Sequence, residues 1–151
     1  VSDVFDLADA VATRVNGGSY TISDTFTVTA SALVEYDMDE LEDAVAVKCV
    51  PLQREVEPVS RSKCKNEITI GVAVLKNVQT STGAVDTAAV SGLVELTEEI
   101  EDRLRSEGYT VNGKRASWLR TEVDPIYDGD VLYAHQQFRS VINATYLLTT
   151  P

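Results

Sequence analysis

The sequence is poor in the residues that most site chemistry needs: it holds one histidine, His135, and two cysteines, Cys49 and Cys64, in 151 residues. There is no CxxC pair, so the usual ligand spacings of a zinc site cannot be assembled. A disulfide between the two cysteines would need a hairpin to bring them together, and free thiols in a reducing compartment are the expectation. No serine or cysteine lies in a nucleophile motif such as GxSxG. Gly17-Gly18 follows a helical stretch, whereas a phosphate-cradling loop precedes one. Nucleotide binding thus lacks an anchor, no cofactor is expected, and His135, beside Gln136 and Gln137, reads as a surface or strand-edge residue.

Positive charge is also scarce. Against 24 Asp and Glu stand 13 Lys and Arg, for a formal net charge of -11. Surfaces that grip a phosphate backbone need clustered cations to displace counterions, so nucleic acid is not expected as a tight ligand. Such a surface does suit a place where DNA must slide past without sticking. No apolar run approaches the roughly 20 residues needed to cross a bilayer. Residues 1–15 carry Asp3, Asp6 and Asp9 and no basic n-region, so neither a signal nor a transit peptide is expected there, and the chain reads as soluble, without a membrane partner.

What the sequence has is apolar content, 44% of its residues, enough for one core over 1–151 without disulfides or metal. Val4, Ala8, Val11 and Val15 recur at helical spacing, with Ser2 or Asp3 to cap the start and Gly17 and Gly18 to end it. Over 26–36 the period becomes two: Phe26, Val28, Ala30, Ala32, Val34 and Tyr36 share a face, which predicts a long strand with one wet side. The acidic run 37–43, holding Met38 and Leu41, predicts a turn, and 44–50 a strand that Pro51 stops.

Residues 51–66 read as an extended excursion or long hairpin tip, and 67–78 as a strand in which Gly71 and Ala73 invite close approach of another element. Asp86 is the expected N-cap of a second helix with Val90, Leu93, Thr97, Ile100 and Leu104 as its buried stripe. Glu95, Glu98, Glu99, Glu101 and Asp102 form its solvated face, and Gly108 its stop. Asn112-Gly113 predicts a two-residue hairpin turn, residues 124–130 a turn-rich joint, and 138–148 a final strand. The order implies an α+β fold: an antiparallel or mixed sheet against two helices, with an extended hairpin excursion.

Few groupings offer chemistry. Residues 37–43 lack the glycine and late glutamate of an EF-hand and read as a solvated turn. Asp124, Asp128 and Asp130 are a slightly better oxygen cluster, but turn residues bonding their own backbone are the favoured account. Asn143-Ala144-Thr145 matches a glycosylation sequon inside a predicted strand, a coincidence. Trp118, Tyr127, Tyr133, Phe138 and Tyr146 crowd the last third of the chain, as core or as interface anchors. The charge feature that stands out is the basic excursion, Arg54, Arg61, Lys63 and Lys65, on a chain whose second helix is acidic at Glu98, Glu101 and Asp102. Either it is a solubilising loop tip, or it docks on the acidic helix or turn of a neighbouring copy, a heterologous contact that can close into a ring.

Laid out in order, these features resemble the tail terminator (tail completion) proteins of long-tailed bacteriophages. The resemblance rests on the Asp6-Leu7-Ala8-Asp9-Ala10-Val11 helix, the strand from Phe26 to Tyr36 before Met38-x-x-Leu41, and Val45-x-Val47-x-x-Val50-Pro51. It continues through Pro125-Ile126-Tyr127-Asp128, Leu132, Phe138 and Ser140-Val141-Ile142-x-Ala144-Thr145-Tyr146, spanning nearly the whole chain. It implies a non-enzymatic virion subunit, assembled in the host cytoplasm, that forms a homo-hexameric ring on the tail tube protein, ends tube growth and meets the head connector. Genomic DNA would pass through the lumen, and residues 51–66 would reach a neighbour. The competing expectations are another neck component, such as a head-closure or minor tail protein, and an acidic adaptor for a basic partner. A small enzyme would require Asp124, Asp128, Asp130 and His135 to converge.

Overall fold

The computed structural model describes residues 2–22, 26–30, 45–80, 82–105 and 107–149, the side chains of Thr29 and His135 aside. Among these residues three helices and six strands follow one another as α1 (Asp3–Asn16), β1 (Thr29–Ala30), β2 (Ala46–Pro58), β3 (Cys64–Asn77), α2 (Thr87–Leu104), β4 (Gly108–Val111), β5 (Lys114–Glu122), α3 (Gly129–His135) and β6 (Gln137–Thr149). The strands form one sheet in the order β1-β2-β3-β6-β5-β4. The two-residue β1 pairs parallel with β2, and every other neighbouring pair is antiparallel. The mixed sheet of the α+β expectation is therefore present. Of the strand expected over 26–36, residues 26–30 are described, and of these Thr29–Ala30 form β1 while 26–28 are not strand; residues 31–36 and the acidic run 37–43 lie outside the described residues.

The core follows from alternation. Phe138, Ile142, Ala144, Tyr146 and Leu148 of β6 stand on one face beside Ile68, Ile70, Val72 and Val74 of β3, all buried. Against that face pack Leu7, Val11 and Val15 of α1 and Leu93, Leu96, Ile100 and Leu104 of α2, in one continuous apolar cluster. Each fully buried side chain of this kind contributes about 1.5–3 kcal/mol. Ser2 caps α1 as expected, its side chain accepting from the Phe5 amide, and Asp86 caps α2 by accepting from the amides of Ala88 and Ala89. On the far side of the sheet a smaller buried pair, Ala73 and Leu75, packs with Ala46 and Val141.

Four expectations are corrected. Pro51 does not stop a strand: β2 runs through it to Pro58, because a bulge between Pro51 and Gln53 absorbs the misfit, and here the described residues give β2 a partner only in β3. Gly108 does not end α2; the helix closes at Leu104 with Arg105 as its C-cap, and Gly108 begins β4. The joint at 124–130 leads into a third helix, α3, capped by Asp128 and closed by Gln136 in the left-handed region (φ 51). The described residues therefore hold three helices instead of two; at seven residues, α3 is too short to show a 3.6-residue period. Glu99 is not simply solvated, since one carboxylate oxygen accepts from the Thr21 amide at 3.0 Å and the other is buried.

Candidate protein interface

The excursion at 51–66 is the distal part of the β2–β3 hairpin. At the bulge Leu52 is left unpaired, and its side chain lies over Gly71 on the outer face, the one turned away from the helices. A Cβ at Gly71 would come within 2.7 Å of Leu52 Cδ1. This is the close approach that Gly71 foreshadows in the sequence. Beyond the bulge Arg54 pairs with Ile68 and Val56 with Asn66, which puts both on the helix side, while Glu55 and Glu57 oppose Glu67 and Lys65 on the outer side. At the tip the amides of Val59 and Ser60 both donate to the Lys63 carbonyl, closing the turn.

The four cations taken together from sequence are thus divided. Lys65 pairs with Glu67 at 2.8 Å, and Glu67 also reaches Arg120 at 3.4 Å. The Lys65 partnership raises the ammonium pKa and lowers that of the Glu67 carboxyl. Hydrogen bonding and repulsion from Glu57 raise the Glu55 carboxyl, so the outer face of the hairpin mixes both signs. Arg54 donates to Asn66 Oδ1 at 3.2 Å and borders a concavity of about 790 Å³ with Val56, Lys63, Lys114 and Leu148. Lys114 in turn pairs with Asp3 at 2.6 Å. Arg61 and Lys63, both exposed at the tip, have no ion-pair partner among the described residues.

The acidic helix divides in the same way. Glu101 and Asp102 share Arg105, at 2.9 and 3.1 Å, which raises the guanidinium pKa. Glu95 and Glu98 are exposed, and neither has an ion-pair partner among the described residues. Beside Glu98 the helix borders two adjoining hollows of about 250 and 420 Å³ that share Val94. The first is floored by Val94, Val123 and Ile126 and rimmed by Glu98 and Glu101; the second lies between Val90 of α2 and Tyr127, Leu132 and Tyr133. The aromatics of the last third are split accordingly: Phe138 and Tyr146 are core, whereas Tyr127 and Tyr133 are exposed. Sequence reasoning missed this hollow. The one signal for it is the exposed Ile126 within a turn-rich joint.

Tip and hollow lie at different levels of the sheet. Thr121 beside the hollow pairs with Ala144 and so stands level with Ile70 of β3, whereas the tip precedes Cys64 at the end of that strand. At about 3.3 Å per residue the six steps from Cys64 to Ile70 separate these levels by roughly 20 Å. One molecule cannot bring its own tip to its own hollow.

The oxygen cluster of the joint serves the backbone. Asp128 Oδ1 accepts from the amides of Asp130 and Val131, as turn-forming aspartates do. Among the described residues no three His, Cys, Asp or Glu side chains are grouped to hold a metal ion. Asn143 of the sequon lies within β6 with its side-chain Oδ1 buried. Both cysteines are free, since the hairpin puts Cys49 opposite Val72 and Cys64 opposite Pro58, at different levels. Among the described residues no helix is long and apolar enough to cross a membrane. No family model matches the chain, and no curated protein matches it.

Proposed function

We propose that this protein is a structural subunit of a long-tailed bacteriophage: a tail terminator that forms a homo-hexameric ring at the head-proximal end of the tail tube, ends tube polymerisation and meets the head connector. The observation that carries this reading is the separation, within one molecule, of the tip cations Arg61 and Lys63 from the helix carboxylates Glu95 and Glu98, none of which has an ion-pair partner among the described residues. Complementary patches so disposed favour head-to-tail contacts, which either close into rings or run on as filaments. The order of soft sequence patterns shared with tail terminators supports the same reading. The net charge of -11 suits a collar through which DNA passes without adhering.

Size-exclusion chromatography with light scattering, followed by negative-stain microscopy of the protein mixed with isolated tail tubes, tests it. A six-membered ring on tube ends is the expected result. Twelve copies per particle would point to a connector, and a monomer that ignores tubes but binds a basic partner would point to an adaptor.

A further inference from the structure

We propose that the hairpin tip of one copy seats in the hollow between α2 and the β5–α3 joint of the next copy, a contact that specifies the ring reading above and rests on it. The tip offers one exposed valine, Val59, 69% accessible, with Arg61 and Lys63 following at alternate positions. The hollow offers the complement: an apolar floor of Val94, Val123 and Ile126, the last 51% accessible, with Glu98 unpaired at its rim among the described residues. An exposed valine gains by leaving water only where an apolar floor receives it. Cations flanking that valine gain only where carboxylates border the floor.

The occupant is a second copy for two reasons. The tip lies beyond Cys64 while the hollow stands level with Ile70, roughly 20 Å along β3, so the match cannot be satisfied within a molecule. On a chain of net charge -11, moreover, the tip is a local patch carrying Arg61, Lys63 and Lys65 and no acid over 58–65, so it is the part of one copy that the acidic helix of another attracts. Each seated tip leaves one free tip and one free hollow at the ends of the assembly, so the contact propagates until the ring closes.

Two surface variants test the seating, Val59→Asp in the tip and Ile126→Asp in the hollow, with circular dichroism and thermal unfolding to verify that each stays folded. Each alone is expected to run as a monomer, its self-association weakened by at least about tenfold. Mixed in equal amounts, they are expected to form a one-to-one heterodimer and no ring, because the first keeps its hollow and the second its tip. A second pair keeps the test decisive should either variant misfold: Arg61→Glu with Lys63→Glu is expected to abolish rings, and adding Glu98→Lys to the same chain to restore them. Rings formed by either single variant, or variants that assemble normally and fail only to bind tubes, would overturn the seating and leave the ring reading standing. A native chain that stays monomeric at high concentration and on tail tubes would overturn both.

Discussion

Cys49 and Cys64 show how far one residue type can diverge in a single fold. Cys49 sits fully buried in the core, where desolvation above all, and the charge of Asp9 second, push its thiol up to about 12. Cys64 stands exposed at the base of the hairpin tip. Because the thiolate is the reactive form, a disulfide reagent such as dithiobis(nitrobenzoate) is expected to modify one thiol in the native protein and both after denaturation. Prompt modification of both would contradict the buried placement. Asp3 carries a pH signature of the opposite kind. Its carboxylate accepts from Asn112 Nδ2 at 2.8 Å and Lys114 Nζ at 2.6 Å, tying α1 to the β4–β5 turn, and these bonds hold it below its ordinary value of 3.8. A folded pKa below the unfolded one stabilises the fold fully above the unfolded value, and that contribution is lost as pH falls through the folded one. Asp3→Asn is therefore expected to be less stable than the native protein at neutral pH, with the gap closing as pH falls below 3.8. Urea midpoints measured across that range check it, and a gap that does not change with pH would remove the charge from the explanation.

At the scale of elements, the caps are where small chemistry fixes a boundary. Asp86 alone satisfies two amides at the start of α2, so Asp86→Ala is expected to lower the unfolding free energy by about 1 kcal/mol. Denaturant titration measures this, and an unchanged midpoint would show that the first turn is held by packing alone. The same caps explain what could be read before the fold was seen. Ser2 and Asp86 announce both long helices, Asn112-Gly113 announces its turn with both residues at positive φ (52 and 76), and β6 shows its face by strict alternation. What stayed hidden depends on partners distant in sequence. Pro51 looks like a terminator until a bulge is known to receive it. Residues 124–130 look like turn alone because Leu132 is the one buried apolar side chain of α3 among the described residues. The candidate site was legible as two opposite charges and not as a geometry: Lys65 is spent on Glu67, two residues along the same strand, which Arg120 of β5 also reaches, and the apolar hollow beside Glu98 arises from contacts between α2 and a joint some 20 to 30 residues away in sequence.

At the scale of the molecule, two electrostatic effects of different range oppose each other. Copies of net charge -11 repel over the Debye length, about 30 Å at 0.01 M salt and about 8 Å at 0.15 M, whereas tip and carboxylate rim attract at contact. Self-association is therefore expected to strengthen as salt rises from the lowest values, pass through a maximum, and weaken toward 1 M, where screening acts within about 3 Å. Sedimentation velocity across that series would show it, and a steady decline from the lowest salt upward would mean that whole-chain repulsion has no part. The unpaired Leu52 governs what this balance acts upon. As the one supernumerary residue of β2 against β3, it bends the arm without changing its faces, so its loss would leave Arg54 opposite Ile68 and Val56 opposite Asn66 while removing the bend that aims the tip. A single deleted codon would thus redirect the hairpin's arm while leaving the charges on each of its two sides where they are.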